Sequence, residues 1–307
     1  MEGMQNYSSS LTANRSFINV SQKYDSHSVT AWFGAIVSVH LLGSILLALL
    51  IAASFHSKEL LRGSCILIFH IMLIELLICA ITNPLLNVTA YLHLNRQFAH
   101  VNCRALILLN ATSQHALNWA SLLLAVNRFV AIVHPHQYER WVSKVAVTSM
   151  IIIPWLVGLA DTLPVYFGIG GDILLGSAGC AFKTNIDEIY GTIWFVIGAY
   201  IPIGLMGVIY LTLGLRILAS NRSRQRINRL IPVDAVSTMA RVTAAQKRQL
   251  SFAKMLIGSS VWYLICFLPG PIIVSRFPHL YGIGNPPIMR LWISGLLALC
   301  GYAGCPV

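Results

Sequence analysis

Six polar side chains on one side of a mostly apolar stretch, Cys103 to Pro135, pose the chemical question of this chain. Taken as a helix, which turns about 100° per residue, the stretch brings Asn110, Ser113, Gln114, Asn118 and Ser121 within roughly 140° of one another. Arg128 follows Asn110 by eighteen residues, about five turns, so it points to the same side. The rise between them is roughly 27 Å, close to the thickness of a bilayer core. The amides can donate and accept hydrogen bonds near one membrane surface, and the guanidinium supplies a fixed charge near the other. Such groups cost several kcal/mol in hydrocarbon, so this face must meet other helices or a wet cavity. Two readings follow. The stripe is polar glue between helices, or it faces a wet cavity and serves a function there.

Glu75, in a second apolar run, poses the same question as either a functional acid or a neutral hydrogen-bonding strut. No nucleophile–base–acid set, phosphate loop or metal-ligand spacing is visible, so the expectation is a protein that is not an enzyme and carries no metal or cofactor.

The elements that must position these groups are membrane helices. The chain is 307 residues long, 56% hydrophobic and only 10% charged, with a mean hydropathy of +0.71. Soluble domains carry about 25% charged residues. The apolar runs are long and unbroken rather than alternating, which excludes a β-barrel. The net charge of +11 does not indicate a nucleic-acid partner, because the basic residues cluster between the apolar runs.

Seven spans are expected, near Val29–Phe55, Cys65–Leu92, Cys103–His134, Val145–Phe167, Ile189–Leu218, Phe252–Val274 and Leu291–Val307. Lysine and arginine concentrate in the loops after the first, third and fifth spans, which places those loops in the cytoplasm and the N-terminus outside. The division is a tail over residues 1–28 and a membrane domain over residues 29–307, with a basic third cytoplasmic loop over residues 219–250. That loop suits a protein partner or anionic inner-leaflet lipids. Sequons at Asn6, Asn14 and Asn19 suit a glycosylated external tail, and Asn87 begins another near the outer end of the second span. Prolines recur within the spans, at Pro84, Pro154, Pro164, Pro202, Pro269 and Pro271, and Pro269–Gly270–Pro271 makes the sixth span the expected hinge. The last span has seventeen residues, the lower edge of a full crossing, and is expected to be truncated.

The ordered set of motifs resembles the rhodopsin-like (class A) G-protein-coupled receptors. Cys103 resembles the cysteine that opens that family's third helix. Asn127–Arg128–Phe129 resembles its (D/E)R(Y/F/W) triplet, with the arginine at the family's spacing. Pro135 resembles the proline of the second cytoplasmic loop, and Trp155 the fourth-helix tryptophan. Pro202 with Tyr210 resembles the fifth-helix pair, and Cys266–Phe267–Leu268–Pro269 the sixth-helix CWxP motif.

The resemblance implies an all-α seven-transmembrane bundle at the plasma membrane that couples an external ligand to a heterotrimeric G protein. It implies a disulfide between Cys103 and Cys180, and a switch built from Asn127, Arg128, Phe129, Pro135, Tyr210 and Pro269. It implies a ligand pocket around Asn110, Gln114, Trp194 and Phe267, although Trp194 reads equally as packing. Asn-Arg in the triplet also resembles melatonin receptors and the invertebrate group that includes the Moody and Tre1 receptors.

The departures bear on function. Glu75 stands for the usual Asp and Leu117 for a frequent Ser, which disfavours the family's sodium site. Phe267 stands for Trp, and Asn127 for the acid beside the arginine. Asn110 stands where monoamine receptors carry Asp, and residues 291–307 contain no lysine for a retinal Schiff base. The expected ligand is therefore a peptide, a lipid or a melatonin-like small molecule. The rivals are a receptor-like protein that no longer signals, and a transporter or channel. Transporters are built from internal repeats, and no similarity between halves is apparent here.

Overall fold

The structure, a computed structural model, describes residues 26–56, 65–95, 97, 101–176, 179–184 and 189–228, and the single positions 258, 261, 262, 265 and 272. Apart from those five positions, the expected sixth span lies outside the described residues, with Phe267 and Pro269, as do the expected seventh span and Asn6, Asn14 and Asn19.

Five long apolar helices form the described part of the bundle. Helix α1 is Ser26–His56. Helix α2 runs through Cys65–Leu77, a π-helical turn Ile78–Thr82 and Asn83–Leu94. Helix α3 is Cys103–Val133, and α4 is Lys144–Tyr166. Helix α5 runs through Ile189–Phe195, a second π-helical turn Val196–Tyr200 and Ile201–Asn228. Leu41, Leu42, Ile45, Leu46 and Leu49 lie exposed on α1, which suits a helix whose outer face meets lipid.

Local chemistry explains the ends. Asn102 Oδ1 accepts from the Ala105 amide (3.2 Å) at the start of α3, and Ser143 Oγ accepts from the Ala146 amide (3.3 Å) at the start of α4. Asn and Ser favour this position because they satisfy amides that no helical carbonyl reaches. Helix α5 passes the expected end of its apolar run, Leu218, and continues to Asn228. Neither proline nor glycine interrupts residues 215–228, so nothing local stops it.

Between α4 and α5 a two-stranded antiparallel hairpin caps the outer end. Strand β1, Gly171–Gly176, pairs with β2, Gly179–Thr184, in the register Gly171 to Thr184 and Leu175 to Cys180. This hairpin is a departure from the expectation of helices alone. The Cys103–Cys180 disulfide ties β2 to the top of α3, with a Cα–Cα distance of 5.3 Å. Gly179 adopts φ 90° with its Cα against Ala90 of α2, a position closed to side chains on both counts.

Helix α3 is the shared wall of the bundle. It contributes Ala116, Leu117 and Ala120 to a cluster with Ile74, Ile78 and Trp155, and Leu122 and Ala125 to a cluster with Met206, Tyr210 and Leu213. Nearer the outer end, Cys103 and Ala111 pack with Val165, Ile173 and Trp194.

Candidate functional site

None of the six polar residues on the α3 stripe is exposed, so the stripe faces protein and not lipid. Its members do different things. Ser113 is fully buried, and its hydroxyl donates to the Leu109 carbonyl of its own helix (2.8 Å). That is the usual way a helix satisfies a hydroxyl in hydrocarbon. Asn118 instead reaches across to α5, where its Nδ2 donates to the Gly198 carbonyl (2.8 Å). The neighbouring Trp119 Nε1 donates to the Ile197 carbonyl (3.1 Å). Both carbonyls lie in the π-helical turn that precedes Pro202, a residue with no amide proton to offer them. The Asn118 amide and the Trp119 indole of α3 therefore stabilise the wide turn of α5.

At the outer end, Asn110 and Gln114 share a face of α3, and both are half-buried. Asn110 Oδ1 is buried without a hydrogen-bond partner among the described residues. Trp194 is 8% exposed and enclosed by the rings of Phe182, Phe195 and His115 at centroid distances of 4.9, 4.9 and 5.2 Å. Its surroundings are those of a packed residue beneath the hairpin.

At the inner end, Asn127 is 1% exposed, and neither atom of its amide has a partner among the described residues. Arg128 is half-buried, with Nε buried and likewise unpartnered. Phe129 packs against the cluster that contains Leu122, Ala125 and, from α5, Met206, Tyr210 and Leu213. Pro135 opens a single 3₁₀ turn, Pro135–Gln137, immediately after α3.

Glu75 is 6% exposed and lies one turn before Cys79 in α2. Beyond it, a polar bridge joins α1 to α2. The Asn87 amide donates to His40 Nε2 (3.1 Å), and the other ring nitrogen faces the Cys79 thiol (3.8 Å). This occupies the Asn87 side chain within α2, so the sequon there reads as a structural residue. A similar tie links α4 to α2, where Trp155 Nε1 donates to His70 Nε2 (2.9 Å).

One buried polar pair was not legible in the sequence. His115 Nδ1 of α3 lies 2.9 Å from Asp161 Oδ2 of α4, and the two side chains are 8% and 3% exposed. An acid within the fourth apolar run was a signal in itself, but the histidine beside Gln114 had no evident partner until α3 and α4 were placed together. Among the described residues, no group of three or more histidine, cysteine, aspartate or glutamate side chains is placed to hold a metal.

Stacked membrane helices, an external disulfide-tied hairpin and a polar stripe through the shared helix define a multi-pass membrane receptor bundle. The chain belongs to the family of 7 transmembrane receptors (rhodopsin family), whose model matches residues 47–281. It is accordingly a multi-pass protein of the plasma membrane, from a family of receptors and not of enzymes.

Similar proteins include G-protein coupled receptor 84 of Mus musculus, 28% identical over 181 residues, which make up 58% of this chain and 44% of that protein. The Gq-coupled rhodopsin of Mizuhopecten yessoensis is 24% identical over 158 residues, 49% of this chain and 30% of that one. The D(2) dopamine receptor A of Xenopus laevis is 26% identical over 143 residues, 45% and 31% of the respective chains. The chain thus spans less than half the length of the curated relatives it matches.

Proposed function

We propose that this chain binds an extracellular ligand near the outer end of α3 and activates a heterotrimeric G protein at the inner end. The observation that carries this reading is the packing of Phe129 against the cluster that holds Tyr210, next to half-buried Arg128, whose Nε has no partner among the described residues. A guanidinium on α3 next to an apolar contact with α5 suits a switch in which the arginine is released toward a partner. The basic loop over residues 219–250 suits contact with the same partner and with anionic lipids.

At the outer end, Asn110 offers an uncharged, buried carbonyl oxygen. That favours a ligand with a hydrogen-bond donor and no obligatory ammonium: a peptide, a lipid or a melatonin-like small molecule. A monoamine would lack its carboxylate partner. The relatives carry the words "G-protein coupled receptor", "GQ-coupled" and "dopamine receptor" in their names, which supports the coupling but not any one ligand.

The test is G-protein activation in cells by the chain without added ligand, beside Arg128→Ala at matched surface level. Basal activation that disappears in the variant supports the reading. Basal activation equal in both proteins overturns the role of Arg128. Background in both favours a receptor-like protein that does not signal.

A further inference from the structure

The buried pair His115–Asp161 has no place in the switch or the ligand site described above. It lies where Gly158 of α4 and Gly198 of α5 both approach His115 of α3. His115 and Asp161 meet as a close ion-pair contact, and neither His115 Nδ1 nor either Asp161 carboxylate oxygen has a partner in hydrogen-bond geometry among the described residues. Two glycines make the junction possible. A Cβ on Gly158 of α4 would stand 2.7 Å from the Thr112 carbonyl oxygen and 3.4 Å from His115 Cβ. A Cβ on Gly198 of α5 would overlap the His115 ring itself. The imidazole is thus a wedge, held from the α4 side by a carboxylate and received on the α5 side by bare backbone. Trp194, one turn before Gly198, closes over it, and Tyr190 Oη donates to the Asp161 carbonyl (2.9 Å), joining the two outer helix ends again.

We propose that His115 and Asp161 form a clasp that fixes where α5 stands against α4. Gly198, where the wedge seats, lies within the wide turn Val196–Tyr200. That turn is π-helical, with the Ile201 amide bonded to the Val196 carbonyl, and such a turn is a break in the regular α-helix that can admit a change of direction. A carboxylate left alone in a bilayer interior is strongly disfavoured. The pair therefore does not loosen gradually: it is closed, or it opens with a rearrangement of the helices around it. His115, Asn118 and Trp119 occupy one face of α3, so the clasp and the two hydrogen bonds to the wide turn act on the same segment. The effect of the clasp on signalling rests on the switch proposed above; its effect on helix position does not.

The experiment measures position first. Nitroxide labels are attached through unnatural ketone residues at exposed positions 144 and 216, the inner parts of α4 and α5, and the distance distribution is read by double electron–electron resonance in lipid nanodiscs. Asp161→Leu removes the acid at similar volume and is expected to shift or broaden the distribution. Asp161→Asn keeps a polar side chain of the same shape beside His115 Nδ1 and is expected to stay near the wild-type distribution. Gly198→Ala displaces the ring from the α5 side and is expected to shift the distribution as Asp161→Leu does. It provides the same test should Asp161→Leu fail to fold.

Unchanged distributions in Asp161→Leu and Gly198→Ala overturn the clasp. Basal G-protein activation per surface receptor is measured in parallel and is expected to change severalfold in Asp161→Leu and less than twofold in Asp161→Asn. A shifted distribution with unchanged activation, while Arg128→Ala still abolishes activation, overturns the link between clasp and switch. A shifted distribution with every protein at background supports the clasp and overturns the signalling role proposed for Arg128.

Discussion

The carbonyl of Gly198 accepts a hydrogen bond from the Asn118 side chain at 2.8 Å, and it is the carbonyl that Pro202, four residues on, has no proton to serve. Pro202 has no amide proton for Gly198 at the four-residue spacing or for Ile197 at the five-residue spacing of the π turn, and side chains of α3 donate to both carbonyls. A kink that would otherwise weaken one helix becomes a tie between two.

Asn118→Leu should therefore destabilise the bundle although it adds apolar volume. The Gly198 carbonyl is left in hydrocarbon without its donor, at a cost of about 1 kcal/mol. Thermal unfolding of the detergent-solubilised protein should show a lower apparent Tm. An unchanged Tm would show that the bond contributes nothing.

Gly158→Ala should be more damaging than its one methyl group suggests. The new Cβ would meet the Thr112 carbonyl oxygen at 2.7 Å and the Ala116 amide nitrogen at 3.2 Å, both backbone atoms that cannot rotate away. Separation of α3 from α4 should cost about 1–3 kcal/mol. Gly34→Ala on α1 is the control, because nothing lies within 4 Å of its Cβ. Surface expression and Tm should fall for the first variant and hold for the second; equal behaviour would refute the close approach.

Cys103→Ser and Cys180→Ser should each lower surface expression, and the double variant should be no worse than either alone. The bond closes a separation of 77 residues, and loss of a native disulfide typically costs about 2–5 kcal/mol. Surface labelling of the three variants against wild type checks this. An additive loss in the double variant would mean that the cysteines act separately.

Asn127→Asp should reduce basal G-protein activation. The native amide is buried and leaves Arg128 without an adjacent carboxylate. A carboxylate at that position would pair with the guanidinium and hold it, by an amount greater than the ~0–1 kcal/mol of an exposed pair because the site is partly buried. Nucleotide exchange on the G protein, per receptor at the surface, is the measurement. Basal activation that stays level or rises contradicts the loose-lock reading.

Much of the architecture was legible in the chain itself. Hydropathy is a local property, so the expected spans Cys65–Leu92 and Cys103–His134 match the helices that end at Leu94 and Val133. The burial of the α3 stripe followed from helical periodicity and the cost of amides in lipid. The hairpin did not follow: residues 171–184 carry little strand pattern, and the pairing is supported by the link from Cys180 to Cys103 and by contact with Ala90.

The sequence by itself determined which segments cross the membrane, which ends face the cytoplasm and which helix carries the polar stripe, because these depend on residue type and on spacing within one segment. Only the tertiary structure decided what each polar group meets. Asn118 could have faced a ligand and instead serves a carbonyl of α5. Trp194 meets the rings of Phe182 from β2 and His115 from α3. Asp161 finds its partner in His115 because two glycines let three helices approach within reach of one imidazole ring. Such meetings depend on the rotation and separation of helices far apart in the chain, which no periodicity within a single helix encodes.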